Sequence, residues 1–499
     1  MAKSGALFVN VDIPETRVAL VEDGKVVEFY IERECERSVE GNVYLGRVER
    51  VIPGMQASFV DIGMDKSGFL QLGEAMRFLD EMIAETGDGD GDRTRSAAQR
   101  SIRDLLREGQ EVLVQVSRAP IGSKGARVTP NASLAGRYVV YLPQVSHLGV
   151  SRRITDDSER RRLREIVASH RSGEDGGFVC RTAAAGCTED ALRADIDWLK
   201  AEWAKVLRGR TERRAPALLR QDYALPLRAV RDAFSGPVDR VVTDDSDVHR
   251  EMVEYVGRYA PERVGAVDLY GGDEPLFDAY GIEEELKRAL QRRVPLPSGG
   301  SIVIDQAEAL TAVDVNTGKF VGKRDFEETI FRNNIEAVAE IAYQLRFRNI
   351  GGLIIIDFID MESEENREKI YRALLEALRG DKARTSVIRI SEMGLVEMTR
   401  KRTRASLGGT LNERCWYCEG AGTLRSVRSV CYEIMREIRR EVGAGGGDRF
   451  VVRAHPHVRE ALLGREKAFL DRLSEKLGTT VKVEAVEDLH VERFEMRRG

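Results

Sequence analysis

Histidine and cysteine are both scarce in this chain, six of each among 499 residues. The histidines (His147, His170, His249, His455, His457, His490) stand outside every block of chemically suggestive residues, which argues against catalysis by a histidine acid and base. The cysteines (Cys35, Cys180, Cys187, Cys415, Cys418, Cys431) are too scattered for a disulfide scaffold and point to thiols or a metal in a reducing cytoplasm. No apolar run approaches the ~20 residues that cross a bilayer. The start, MAKSGALFVN, has no basic region, long apolar core or cleavage site, so no secretory signal is evident. GxSxG, Walker-loop and HExxH patterns are absent. Nor is there an excess of positive charge: the net charge of −5 counts mildly against a nucleic-acid partner.

What the chain does have is length, and charge in patches. A hydrophobic content of 42% with 32% charged residues describes a soluble globular protein, and the length calls for several domains. Basic residues concentrate at Arg152–Arg153, Arg160–Arg162 and Arg164, and again at Arg400, Lys401, Arg402 and Arg404. Solvated helix faces account for most such runs, but the second cluster follows the most informative stretch and can line a path for phosphates.

That stretch runs from Ser301 to Met361. Thr311 to Asn316 alternates, so Val313 and Val315 point to one face of a strand and Asp314 and Asn316 to the other. Leu353 to Ile356 is a short apolar run that reads as a strand buried on both faces, ending at Asp357 with Asp360 close behind. Between them Phe331, Ile335, Val338, Ala342 and Leu345 form a helical stripe, with capping-box spacing at Asp325 and Glu328 and a stop at Gly351-Gly352. Two acidic strand positions flanking one helix can converge at a sheet rim, and hard oxygen ligands of this kind suit magnesium. A plain structural reading competes: Asp314 as a strand-end solubiliser and Asp357 as a helix cap.

ALTAVDVNTGKF, FEETIFRNNIEAVAEIAYQLR and GGLIIIDFIDM resemble the catalytic segment of the ribonuclease E/G family of bacterial endoribonucleases. The resemblance implies that Asp314 and Asp357 hold magnesium in a DNase I-like α/β subdomain spanning 290–411, and that Asn316 helps orient attack on a phosphate. It implies a multidomain α/β and α+β architecture. Residues 1–38 and 226–289 would form an RNase H-like scaffold, split by an S-one-type OB-fold (39–130) and a 5′-sensor insertion (131–225). Asp12, on the first part of that scaffold, is then structural.

The remaining segments fit this frame. Residues 39–130 read as closely spaced short strands with glycine turns, the pattern of a small barrel, interrupted by a polar, glycine-rich loop at 77–104. Phe59 and Phe69 sit on candidate strands with Arg47, Lys66 and Lys124 nearby in sequence. Each phenylalanine belongs in a core by default, whereas exposed aromatics among cations stack single-stranded bases. The resemblance assigns both, with Lys124 of GSKGA, to RNA binding. Arg181-Thr182 alone reads as a surface ion pair. The resemblance makes the pair a sensor for RNA carrying a 5′ monophosphate, with Gly136 and Val140 supplying backbone and packing contacts. Arg384 matches a family position near the active site.

Cys415-Trp416-Tyr417-Cys418 supplies two thiols from a tight turn, whereas tetrahedral zinc takes four ligands. There is no second CxxC. Cys431 is a candidate third ligand, and an incidental or redox pair is the bland alternative. The resemblance implies a zinc-link (412–426) in which two chains each give Cys415 and Cys418 to one shared ion, making a homodimer or a dimer of dimers. A small α/β domain (427–499) closes the chain, with a helix over Val458–Leu477 and no long extension after it.

The implied activity is magnesium-dependent endonucleolytic cleavage of single-stranded RNA, favouring 5′-monophosphorylated ends, in rRNA maturation and mRNA decay in the cytoplasm. The isolated histidines argue against the competing route, in which a 2′-hydroxyl attacks with histidine as acid and base. The alternative class is a non-catalytic RNA-binding protein with an OB-fold.

Overall fold

The computed structural model describes residues 5–34, 38–73, 101–120, 125–171, 175–234, 238–318, 326–391, 393–402 and 404–499. The chain divides into two compact units, Met1–Gly408 and Gly409–Gly499. The polar loop expected at 77–104 lies mostly outside the described residues, as do Asp325 and Lys124.

In the first unit, three consecutive strands, Gly5–Val11, Glu15–Glu22 and Lys25–Arg33, form an antiparallel meander. Val238–Thr243 joins the first of them in parallel, and Val267–Leu269 joins that in turn. One five-stranded sheet is therefore built from chain ends some two hundred residues apart, and everything between is inserted into it.

The first insertion is a closed five-stranded barrel. Val43–Ile52, Ala57–Asp61, Gly68–Gln71, Arg127–Thr129 and Glu111–Arg118 pair in that order, and the last returns to the first. Closure removes the open sheet edges that short strands would otherwise expose. Val48, Val60, Leu70, Val114 and Val128 fill its interior. The second insertion is a four-stranded sheet ordered Leu148–Val150, Gly177–Cys180, Val139–Leu142, Leu134–Ala135, packed against helices Asp157–Ser169 and Glu189–Glu212.

The acidic segment forms a six-stranded sheet ordered Arg293–Pro295, Ser301–Gln306, Leu310–Asn316, Gly352–Asp357, Leu395–Arg400, Thr385–Val387. Ile302, Ile304, Val313, Val315, Ile354, Ile356, Val396 and Met398 point to one side. There they meet Ile330, Val338, Ile341 and Leu345 of helix Phe326–Phe347 and Ile370 and Leu374 of helix Glu364–Leu378. Each such side chain contributes about 1.5–3 kcal/mol when fully buried, so this layer fixes the sheet. The expectation that Leu353–Ile356 is buried on both faces is corrected: Leu353 is 41% exposed and Ile355 half-buried, because both helices cover the same side. Asn349, at a φ of +48°, turns the chain just after the helix ends at Phe347, ahead of the glycine pair expected to stop it.

In the second unit, helix Val427–Gly443 precedes a three-stranded sheet ordered Thr480–Ala485, Arg449–Ala454, Phe494–Arg498. The expected continuous helix from Val458 to Leu477 is two helices, Pro456–Leu463 and Lys467–Leu477. The break turns on Glu466, whose buried carboxylate takes Arg428 and the Tyr432 hydroxyl. Among the described residues, no helix is long and apolar enough to cross a membrane.

Candidate active site

The two strands carrying the acids run parallel and adjacent, and Asp314 is the register partner of Asp357. Since register partners project to the same side, both carboxylates leave the sheet on its uncovered face, at the C-terminal ends of their strands. Both are exposed, so neither is a satisfied core carboxylate. Asn316 lies on the same face, and its Nδ2 donates to Asp314 Oδ2 at 2.8 Å, which orients that carboxylate. The Asp357 carboxyl is pushed up from the ordinary aspartate range, first by desolvation and then by the negative charges of Asp314 and Asp360. Asp360, reached by the short turn after Asp357, is the acid whose part in the site the pattern of strands alone did not reveal.

Hard carboxylate oxygens whose mutual repulsion raises a pKa form a donor set that a divalent cation would relieve. Among the described residues there is no cluster of three or more His, Cys, Asp or Glu side chains close enough to enclose an ion. The residues fit a cation that uses two protein carboxylates and keeps its waters, which is the preference of magnesium.

Arg384 is exposed, and alternation puts it on the same face as Asp357. Its carbonyl accepts from Lys401, however, whereas Asp357 faces Leu395. At about 3.3 Å per residue it stands on the order of 20 Å along the strands from the acids.

The residues expected to form a sensor come together. The Arg181 guanidinium donates through Nη1 to the Gly136 carbonyl at 2.7 Å and through Nη2 to Asp232 Oδ1 at 2.6 Å. Thr182 Oγ1 lies 3.3 Å from Ser151 Oγ, and Val140 pairs with Ala135, the neighbour of Gly136. Gly136 is needed where it stands: a Cβ there would lie 2.5 Å from both Asp195 carboxylate oxygens. Asp195, 2% exposed, accepts the backbone N–H groups of Arg137, Tyr138 and Val139 and so shapes the Gly136 loop from behind. Burial pushes the Asp232 carboxyl up, but Arg231 and Arg181 outweigh it and hold the group below its ordinary range.

On the barrel, Phe59 and Phe69 are register partners on antiparallel strands with ring centroids 5.5 Å apart. Their strand neighbours Val60 and Leu70 point inward, while both phenylalanines point out and remain half-buried. The default assignment of each to the barrel core therefore fails on geometry. Arg47 bonds the Ala215 carbonyl.

In the second unit Cys415 is exposed and Cys418 half-buried at the knuckle, with Trp416 86% exposed between them. Hydrogen bonds from the Cys418 and Tyr417 backbone, then from the Cys418 side chain, lower the Cys415 thiol pKa, as suits a metal-binding thiolate. The candidate role of Cys431 as third ligand is corrected. It is fully buried in the core of this unit, with its thiol against the Val458 carbonyl and its pKa pushed up to about 11 by burial. His490, which no sequence pattern singled out, bonds the Tyr417 carbonyl at 2.7 Å and packs on the Tyr417 ring, bracing the knuckle.

A multidomain α/β protein with an inserted closed barrel and paired carboxylates at an open sheet rim is thus the class that fold and site define. A model of the ribonuclease E/G family matches residues 133–403, and one of the RNase E/G thioredoxin-like domain matches 414–499. The chain is 45% identical over 490 residues to ribonuclease G of Salmonella typhimurium (strain SL1344) and of Escherichia coli (strain K12), covering 98% of this chain and 99% of each relative. It is 39% identical over 431 residues to ribonuclease E of Escherichia coli (strain K12), covering 86% of this chain and 39% of that relative. The chain belongs to the ribonuclease E/G family.

Proposed function

We propose that this enzyme, an endoribonuclease by its family, cleaves single-stranded RNA with magnesium held by Asp314 and Asp357, favours substrates with a 5′ monophosphate, and serves rRNA maturation and mRNA decay. The observation that carries the reading is the register pairing of two exposed carboxylates at one sheet rim. A magnesium ion bound there would supply Lewis-acid stabilisation of charge on the scissile phosphate and a more acidic water, giving 5′-phosphate ends. Asn316 fixes the Asp314 carboxylate through its amide. Phe59 and Phe69 offer ring faces on which unpaired bases stack, which favours a single strand over a duplex. Arg181 and Thr182 offer a guanidinium and a hydroxyl beside the Gly136 loop, the donors a terminal phosphate needs. Lys124 and Arg384 would extend the RNA path. In this reading the five-stranded sheet is an RNase H-like scaffold and the acidic sheet a DNase I-like subdomain, and the enzyme works in the cytoplasm. Cys415 and Cys418 would pair with the same residues of a second copy around zinc.

The test uses 5′-monophosphorylated single-stranded RNA with magnesium or with EDTA, beside the Asp314→Asn variant. Internal cuts that need magnesium and vanish in the variant are expected. Binding without cutting, on a substrate that a family relative cleaves, would overturn the catalytic reading in favour of a non-catalytic RNA-binding protein.

A further inference from the structure

Helix Phe326–Phe347 lies directly beneath the two acidic strands, and it carries consecutive buried asparagines, Asn333 and Asn334, 3% and 0% exposed. A helix interior offers an asparagine no backbone partner of its own, so a buried one has to bond elsewhere. Asn334 does so completely. Its Nδ2 donates to the Ile359 carbonyl at 2.9 Å, and its Oδ1 accepts the Ile359 N–H at 3.1 Å. Ile359 is the second of the two residues, Phe358 and Ile359, that join Asp357 to Asp360. One side chain therefore fixes both backbone groups of the residue just before Asp360.

The same helix holds the chain further on. Glu327, seven residues earlier and so two turns away on the same face, accepts the Ser363 N–H and Asn366 Nδ2 through Oε1, each at 3.1 Å. Its Oε2 accepts the Glu362 N–H at 3.4 Å. From the opposite side, the Phe358 N–H donates to the Gly394 carbonyl at 3.2 Å. Gly394 sits at a φ of +75°, and a Cβ there would lie 2.6 Å from the Phe358 carbonyl and 3.4 Å from Asp360 Oδ1. The turn is thus gripped from the helix and from the neighbouring strand. At the other acid, Asn333 Oδ1 accepts the Ser298 hydroxyl at 2.8 Å and packs against Gly300, beside the Asn316 carbonyl.

The site needs such a grip. Asp314 and Asp357 are register partners and Asp360 follows within one short turn, so three like charges are crowded at one sheet rim and repel one another. A turn free to relax would carry Asp357 and Asp360 apart and would have to be drawn back whenever a cation bound. We propose that Asn334, seconded by Glu327, is a positioning residue of the metal centre: the pair holds the Asp357–Asp360 turn in its cation-binding geometry against the repulsion of its own carboxylates. This rests on the reading of Asp314 and Asp357 as the metal ligands. Partners of this outer kind are worth about 10–100-fold in metal affinity or activity when removed.

The test uses the full chain without RNA, with Mn2+ as the probe followed by electron paramagnetic resonance, for wild type, Asp314→Asn, Asn334→Ala and Glu327→Ala. Thermal unfolding in EDTA and RNA binding in EDTA accompany it, together with the magnesium concentration giving half-maximal cleavage. Asn334→Ala should weaken the Asp314-dependent Mn2+ binding by about tenfold, raise the half-saturating magnesium by the same factor, and leave RNA binding in EDTA unchanged. Glu327→Ala, a change at a half-buried site, should shift both in the same direction by a smaller factor. A folded Asn334→Ala protein with wild-type Mn2+ affinity and magnesium dependence overturns the positioning role. If Asn334→Ala does not fold, unmoved values in Glu327→Ala overturn it instead. Mn2+ binding that ignores Asp314→Asn overturns the metal reading itself and this inference with it, an outcome distinct from the other two.

Discussion

Asp314 and Asp357 are register partners on adjacent parallel strands, and Asp357 is the harder to ionise of ordinary carboxylates because desolvation and the charges of Asp314 and Asp360 oppose it. A metal-free site of this kind carries a cost to the fold, and the sign of that cost gives a prediction. The folded-state pKa of Asp357 is raised, so the penalty is present when the group is ionised and is relieved as pH falls through that pKa. Asp314→Asn removes one repelling charge. In EDTA at neutral pH the variant should unfold at a temperature roughly 1–2 °C higher than wild type, and the gap should close as the solution is acidified. Cleavage in magnesium should be nearly abolished while RNA binding persists. A variant that loses binding and cleavage equally would show Asp314 to be structural.

The Arg181 guanidinium donates to the Gly136 carbonyl, to Asp232 and, at 3.5 Å, to the Arg137 carbonyl. A charge-assisted contact to a terminal phosphate is worth about 1.5–3 kcal/mol, so Arg181→Ala should cost about 10–100-fold in the preference for a 5′-monophosphorylated RNA over its triphosphorylated form. Internal cleavage of a circular RNA, which has no 5′ end, should fall much less. Equal losses on all three substrates would mean that the residue supports the fold and reads no phosphate.

How far the site was legible in sequence follows from what each residue depends on. Asp314 and Asn316 were visible because alternation puts them opposite Val313 and Val315, a property of six consecutive residues. The partnership with Asp357 followed once two strands and a helix between them were recognised. Asn334 was not visible, because a buried asparagine on a helix looks like any interruption of an apolar stripe until Ile359 is brought beside it. The same holds for Asp195, which acts on residues 137–139 from a helix more than fifty positions away. Leu353 misled: a run of aliphatic residues reads as doubly buried, but burial on the second face depends on where helices lie, and here both lie on one side. The two helices from Pro456 to Leu477 are periodic enough to read as one, and only the tertiary role of Glu466 divides them.

Arg400 and Asp381 form an almost fully buried pair, with side chains 4% and 5% exposed. The guanidinium reaches both carboxylate oxygens, at 2.6 and 3.0 Å, and the Ile350 carbonyl at 2.8 Å, tying the strand Leu395–Arg400 to the chain ahead of Thr385–Val387. Removing one member strands the other's charge in the interior. Asp381→Ala should therefore destabilise the fold by about 3–5 kcal/mol in denaturant titration. The double change Asp381→Leu with Arg400→Met should cost much less, since an apolar pair of similar volume leaves no orphaned charge. If the two proteins unfold alike, the pair contributes packing and not electrostatics.

Glu28 binds two parts of the first unit together: its carboxylate takes Arg346 at 2.9 Å and Lys382 at 2.9 Å, and the Tyr30 hydroxyl at 2.6 Å. Burial alone would raise its pKa, yet Lys382, the Tyr30 hydrogen bond and Arg346 outweigh burial and hold it at about 2. A carboxylate with a depressed folded-state pKa stabilises the fold above its unfolded value and loses that contribution as pH falls through its folded one. The window is therefore from about 4.5 down to about 2, and the amount on the order of 2–3 kcal/mol. Glu28→Gln should be less stable than wild type at neutral pH by an amount of that order, and the difference should shrink through that acidic window. A difference that is the same at neutral pH and at the acidic end would assign the loss to packing around Glu28, leaving its charge without a part.

Cys415 and Trp416 are both turned to solvent, and Cys431, the remaining thiol of that unit, is sealed in its core. Two thiolates from one chain leave a tetrahedral ion half coordinated, and in the proposed shared site a second copy would supply the other two. Native mass measurement should give one zinc per pair of chains, and both zinc and the dimer should be lost together in Cys415→Ser and on treatment with a strong chelator. Cys431→Ser should keep zinc and dimer but lower the unfolding temperature, since it puts a hydroxyl where the thiol packs against the Val458 carbonyl. A Cys415→Ser protein that keeps its mass and metal content would show that the knuckle binds no shared ion.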